Sequence, residues 1–172
     1  MKVLKIIGGI FLLLIILFFL TGVIWPTFTY ESQVTVNASP ERSWNVFNDA
    51  ELMPEWIQGF KSIKPISKEP GEVGSKYELI ILENGEEMRL YETITAFDVN
   101  REFKMTVTND VLDNYVEVTF TPDGDNTVIK ASSYVDGKGL FWKSMLFVAK
   151  SVIQQTSDEQ YEKLKELIEA KE

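Results

Sequence analysis

The feature that most constrains this chain is a succession of β-rich runs separated by short polar turns between Lys76 and Val135. The runs are KYELIIL (Lys76 to Leu82), MRLYETITAF (Met88 to Phe97), EFKMTV (Glu102 to Val107), LDNYVEVTFT (Leu112 to Thr121) and NTVIKASSYV (Asn126 to Val135). They are dense in β-branched and aromatic residues, as half-buried strands are. Between them lie ENGE, DVNR, TND and PDGDN, all turn chemistry. Connections this short leave no room for crossover helices, so the strands form an antiparallel meander with one wet and one buried face. EFKMTV shows the alternation best, with Phe103, Met105 and Val107 inward and Glu102, Lys104 and Thr106 outward. Such a sheet needs something to cover its apolar face.

The cover follows directly. After Gly137 and Gly139, apolar residues recur with helical period at Phe141, Met145, Val148, Ala149, Val152, Ile153, Tyr161, Leu164, Leu167 and Ile168. The expectation is one long helix laid on the inner face of the sheet. Upstream, TYESQVTV (Thr29 to Val36) reads as a first strand. Ser39 is then a helix N-cap, with Pro40 at the first helical position and Glu41 near the positive end of the dipole. Trp44 and Phe47 share the inner side of this helix. Pro54 opens a second short turn carrying Leu52 and Trp56.

The first thirty residues differ in kind. Ile6 to Trp25 contains no charge, and its twenty residues match the ~20 that cross a hydrocarbon core about 30 Å thick. A cleaved signal peptide is the competing reading, since Lys2 and Lys5 supply a basic flank. The run is longer than the ~7–15 residues of a signal's apolar region, and no small-residue cleavage site follows. Trp25, Phe28 and Tyr30 suggest an interfacial aromatic belt. The expected organisation is a membrane anchor over 1–28 and a single domain over 29–172. The lysines before the span place the amino terminus in the cytoplasm and the domain outside.

Composition removes several functions. The chain has no histidine, which excludes imidazole bases, Ser-His-Asp and Cys-His sites and nearly all zinc sites. It has no cysteine, hence no disulfide framework. Two of the 17 basic residues precede the span, leaving 15 against 26 acidic ones, a domain charge of −11. That balance argues against nucleic acid and against charge-driven docking on anionic headgroups. The DGDN segment (Asp123 to Asn126) lacks the length and terminal Glu of an EF-hand, so no metal or cofactor is expected.

The order strand, two short helices, meander and long carboxy-terminal helix resembles the helix-grip fold of the START-like (SRPBCC) superfamily, including its polyketide cyclase/dehydrase and lipid-transport group. The resemblance rests on NASPERSWNVFND, MPEW, EPGEVGSKYEL and ETITAFDVNREFKM, in that order, and covers Thr29 to about Glu169. It implies an α+β domain whose curved antiparallel sheet grips the long helix around an apolar cavity for a hydrophobic small molecule. The two short helices would plug one end, with Trp44 in the core and Trp56 nearer the mouth. An amino-terminal span departs from the family's common form.

Several residues are candidates for such a cavity. Glu92 shares parity with Met88, Leu90, Ile94 and Ala96, and a carboxylate there is costly unless paired, solvated or protonated. It either orients a ligand, serves as an acid/base, or is a structural residue, solvated at a local bulge or by partial exposure or paired with a nearby Arg or Lys. Asn114, Tyr77 and Ser133 likewise fall on apolar parities and could supply polar groups to a mostly apolar pocket. Leu79, Met105 and Val116 lie on inward parities, and Phe141 and Met145 belong to the stripe of the long helix, which could equally be plain core. The functional expectation is a membrane-tethered binding domain for a lipid or other hydrophobic molecule. The alternative is a cyclase/dehydrase-like enzyme with Glu92 and Tyr77 as acid/base partners.

Overall fold

The computed structural model describes residues 2–83 and 85–170; Met1, Lys171, Glu172 and Asn84 of the expected ENGE turn lie outside them. The elements are α1 (Lys2–Ile24), β1 (Thr27–Val36), α2 (Pro40–Asn48), α3 (Met53–Trp56), β2 (Phe60–Ser67), β3 (Lys76–Glu83), β4 (Glu86–Asp98), β5 (Glu102–Thr108), β6 (Leu112–Asp123), β7 (Asn126–Gly137) and α4 (Gly139–Ala170). Among the described residues seven strands form one antiparallel sheet in the order β1-β7-β6-β5-β4-β3-β2. The meander therefore runs β2 to β7, and β1 docks on its last strand, pairing Thr27 with Asp136 through Val36 with Thr127. Breaks in register at Ile94/Ala96 on β4 and at two points along β2 mark bulges, which bend a strand and strengthen its twist. This is the helix-grip architecture.

Strand β2 has no counterpart among the runs expected from sequence. Its residues, FKSIKPIS, include Pro65 and two lysines and have no clean alternation. Those are the marks of an edge strand, where a proline removes no needed hydrogen bond and charge deters further pairing. β1 also starts two residues earlier than its alternation suggests.

Helix α2 begins as its sequence dictates, with the Ser39 hydroxyl accepting from the Arg42 N–H at 3.3 Å. It buries Trp44 and Phe47 against the sheet. Trp44 meets the edges of Phe97, Phe103 and Phe120 at centroid distances of 5.1, 6.4 and 5.4 Å, geometries that suit the ring quadrupoles. Val36, Val118, Ile129, Leu164 and Ile168 are fully enclosed in the same core. Burial of each such side chain is worth about 1.5–3 kcal/mol.

The long helix does not lie on the sheet along its whole length. Ser157, Tyr161, Leu164 and Ile168 face the core, but Phe141, Met145, Val148 and Val152 are exposed. The sheet therefore does not cover the apolar stripe from end to end, as its period suggests; the first half is instead flanked by α1. The reason is a close crossing at Gly22, where an added Cβ would lie 2.8 Å from the Ser144 nitrogen and 2.9 Å from the Leu140 oxygen. Small residues at such a crossing let two backbones approach. Phe18 contacts Phe141, and Trp25 stacks on Phe147 at 4.8 Å.

Candidate hydrophobic cavity

Between the inner face of the sheet and the middle of α4 lies a cavity of about 540 Å³. Leu79 and Ile81 of β3, Met88 and Leu90 of β4, Met105 and Val107 of β5, Asn114 and Val116 of β6 and Ala131 and Ser133 of β7 supply its wall. They point inward because each is two residues from the next on its strand. Trp56 and Ile57 close one side, and Val152, Thr156, Ser157, Gln160 and Tyr161 form the helical side. The size suits a lipid-like or polycyclic ligand, since small-molecule sites run about 300–1,000 Å³.

A few polar groups interrupt this lining. Trp56 Nε1 is a buried donor without a partner, and Asn114 Oδ1 a buried acceptor without one, among the described residues. The Asn114 amide donates to the Tyr30 hydroxyl at 3.5 Å. Leaving a buried polar group unsatisfied costs about 1–3 kcal/mol, so a ligand offering both an acceptor and a donor would recover stability here. A hydroxyl or a protonated carboxyl does both.

Of the sequence candidates, Trp56, Leu79, Met105, Asn114, Val116 and Ser133 are brought together in this wall. Glu92 and Tyr77 are directly opposed on β4 and β3 but do not line the cavity. Glu92 is buried and has no ion pair or hydrogen bond among the described residues, so no cation accounts for it. Burial alone pushes its carboxyl up to about 7. Tyr77 is pushed up to about 12, mainly by burial and then by its hydrogen bond to Glu72 Oε2 at 3.0 Å. Phe141 and Met145 are misassigned as lining: both lie a turn or more before Val152, where the helix has not yet reached the sheet's inner face. Tyr30, expected in an interfacial belt, turns inward and lines the cavity.

The helical lining at Thr156, Ser157 and Gln160 escapes a reading of the sequence by period alone. A signal exists in QQTS (Gln154 to Ser157), a polar interruption of the apolar stripe where it passes the cavity. A second depression of about 350 Å³ lies on the outer face of the sheet among Lys104, Tyr115, Glu117, Ser132 and Tyr134. Its ion pairs Lys104–Glu117 and Lys130–Glu31 mark it as the wet face.

Residues 27–169 match the family described as Polyketide cyclase / dehydrase and lipid transport. The chain belongs to that family, and with it to the START-like (SRPBCC) superfamily. A comparison with curated proteins finds no match. Solved structures share the fold at low identity. Ara h 8.0201 is 17% identical with TM-score 0.64, covering 83% of this chain and 97% of its own. TTHA0849 from Thermus thermophilus is 15% identical with TM-score 0.67, covering 81% and 96%. Norcoclaurine synthase from Thalictrum flavum, in complex with dopamine and hydroxybenzaldehyde, is 18% identical with TM-score 0.61, covering 83% and 86%.

Proposed function

We propose that the protein is a membrane-tethered, non-enzymatic binding domain that holds one lipid or other hydrophobic molecule between sheet and long helix. The observation that carries this reading is the apolar cavity whose wall contains an unpartnered donor, Trp56 Nε1, and an unpartnered acceptor, Asn114 Oδ1. An amphiphile with a hydroxyl or carboxyl head fits that chemistry. The tether is α1, long and apolar enough to cross a membrane. The lysines before it support a cytoplasmic amino terminus with the domain, residues 29–172, on the other side.

Mass spectrometry of the full chain purified in mild detergent should find an apolar molecule at about one per chain. A fluorescent fatty acid should bind at one site and lose affinity in Val116→Trp and Ser133→Phe, which fill the cavity. Unchanged probe binding in both variants would place the ligand elsewhere. Retention in the membrane fraction through carbonate washing tests the tether, and recovery of a shortened, freely soluble chain would sink it.

A second reading, a cyclase/dehydrase-like enzyme, is favoured by one observation: a buried carboxyl held up to about 7 directly across from Tyr77. General acid/base work typically contributes about 10²–10⁴-fold. Turnover of a bound ligand that falls by that much in Glu92→Gln would replace the binding reading with this one.

A further inference from the structure

We infer that the amino-terminal half of α4, from Gly139 to Ile153, is itself seated in the membrane leaflet from which α1 emerges. This rests on the reading of α1 as a membrane anchor. The first observation is composition: GLFWKSMLFVAKSVI contains no carboxylate, in a chain with 26 of them. The second is exposure. Leu140, Phe141, Met145, Val148 and Val152 are 42–65% exposed, at helical spacing, on one continuous flank. Clusters of this kind are rare on soluble surfaces and mark contact with a partner or a membrane.

The occupant follows from how α4 sits beside α1. Phe18 meets Phe141, Gly22 meets Ser144, and Trp25 meets Phe147. Rising numbers match rising numbers, so the two helices run parallel, and the opening turns of α4 are level with the last two turns of α1. Those seven residues of α1 span about 10 Å. If α1 crosses the bilayer, α4 cannot begin outside it: its first turns share the depth of Phe18 to Trp25. α4 therefore starts within the apolar part of the leaflet and rises alongside α1, which puts Val148 and Val152, just beyond the Trp25–Phe147 contact, at the headgroup boundary.

The lysines nearby are compatible with that depth. Lys143 pairs with Asp136 at 3.2 Å, and Lys138 pairs with Asp113 at 3.1 Å, so neither enters the interface as an isolated ion. Lys150 lies over the Phe147 ring at 4.7 Å, its stem along apolar surface and its ammonium free to reach headgroups. Val152 belongs both to this exposed flank and to the cavity lining. The mouth of the cavity therefore opens at the membrane surface.

The absence of native cysteine allows a direct test in the full chain. Single cysteines at Val148, Val152, Leu13 of α1 and Tyr115 on the outer face of the sheet would carry an environment-sensitive fluorophore in phosphatidylcholine vesicles. Spin-labelled lipid should quench the Val148 and Val152 labels, and aqueous iodide should quench only Tyr115. Iodide quenching at Val148 and Val152 would overturn the inference. Protection there from both quenchers, as under a second copy of the chain, would overturn it equally. The Leu13 label reports the anchor separately, since lipid quenching there with iodide quenching at Val148 leaves the anchor standing and removes the seated helix.

Discussion

The two halves of α4 are one uninterrupted helix with opposite surroundings. After Gln154 the helix alternates carboxylates and lysines with Ser157, Tyr161, Leu164 and Ile168, and that narrow stripe is buried in the sheet. Before Gln154 it has no carboxylate, buries only Ser144, and presents its large apolar side chains outward. A helical period reveals that a face is apolar; what covers the face depends on the rest of the chain. Here the sheet covers one half and α1 flanks the other.

The largest expected effect separates the halves by stability. Leu164 is fully enclosed, and Leu164→Ala should cost about 2–5 kcal/mol from lost burial plus a residual cavity. Met145→Ala, one of the exposed positions of the other half, should change stability by less than about 0.5 kcal/mol. Denaturant unfolding of the two variants in detergent checks this. Comparable losses would mean that both halves belong to one core.

The second effect comes from the sheet facing that helix. Glu92 has its carboxyl raised from 4.5 to about 7 by burial. The folded protein thus keeps a proton that the unfolded chain releases above pH 4.5, so this group costs nothing at low pH. The penalty grows as pH rises through that window and is complete above about 7. A shift of this size corresponds to about 3 kcal/mol. Glu92→Gln should therefore be more stable than the parent at about pH 8 and indistinguishable at about pH 4. A variant less stable under the alkaline condition would reveal a partner for the carboxylate.

How far these elements are legible in the sequence varies with the physics behind each. The period-2 runs and their turns disclose five strands, and Ser39-Pro40 discloses a helix start, because both signals are local. Pro65 and the lysines hide β2, since an edge strand need not alternate. Parity locates Leu79, Met105, Val116 and Ser133 on the inner face, and there they line the cavity. It also draws attention to Glu92 and Tyr77, which lie beyond the wall because the cavity ends before their rung. Phe141 and Met145 are misjudged because periodicity cannot distinguish a sheet from another helix or a bilayer as the cover. The crossing that decides this is at Gly22, far away along the chain.

A third effect tests that crossing. Gly22→Leu forces a side chain against the Ser144 and Leu140 backbone, an overpacking that costs about 1–3 kcal/mol if α1 stays in place. The helix can escape by moving away from α4. Cysteines at positions 18 and 141 should be joined by a short bismaleimide in an otherwise unmodified chain and should lose that cross-link in Gly22→Leu. Unfolding of the domain should shift less than the cross-linking yield. Persistence of the cross-link would show that the helices do not depend on this contact.

The smallest effect on stability, at the junction of the two halves, bears most directly on function. Val152 is 65% exposed yet lines the cavity, so on the seating inferred above it stands where ligand would pass between membrane and pocket. Val152→Asp places a charge on an exposed helical position and should alter stability by less than about 0.5 kcal/mol. Equilibrium affinity for a soluble apolar probe should fall less than the rate of uptake from vesicles, because only one position of the wall changes. Uptake of a fluorescent fatty acid from vesicles should slow markedly, because a carboxylate at the mouth must be desolvated when the mouth meets lipid. If uptake from vesicles and binding from water are affected equally, ligand enters through solvent, and the exposed half of α4 is not the gate.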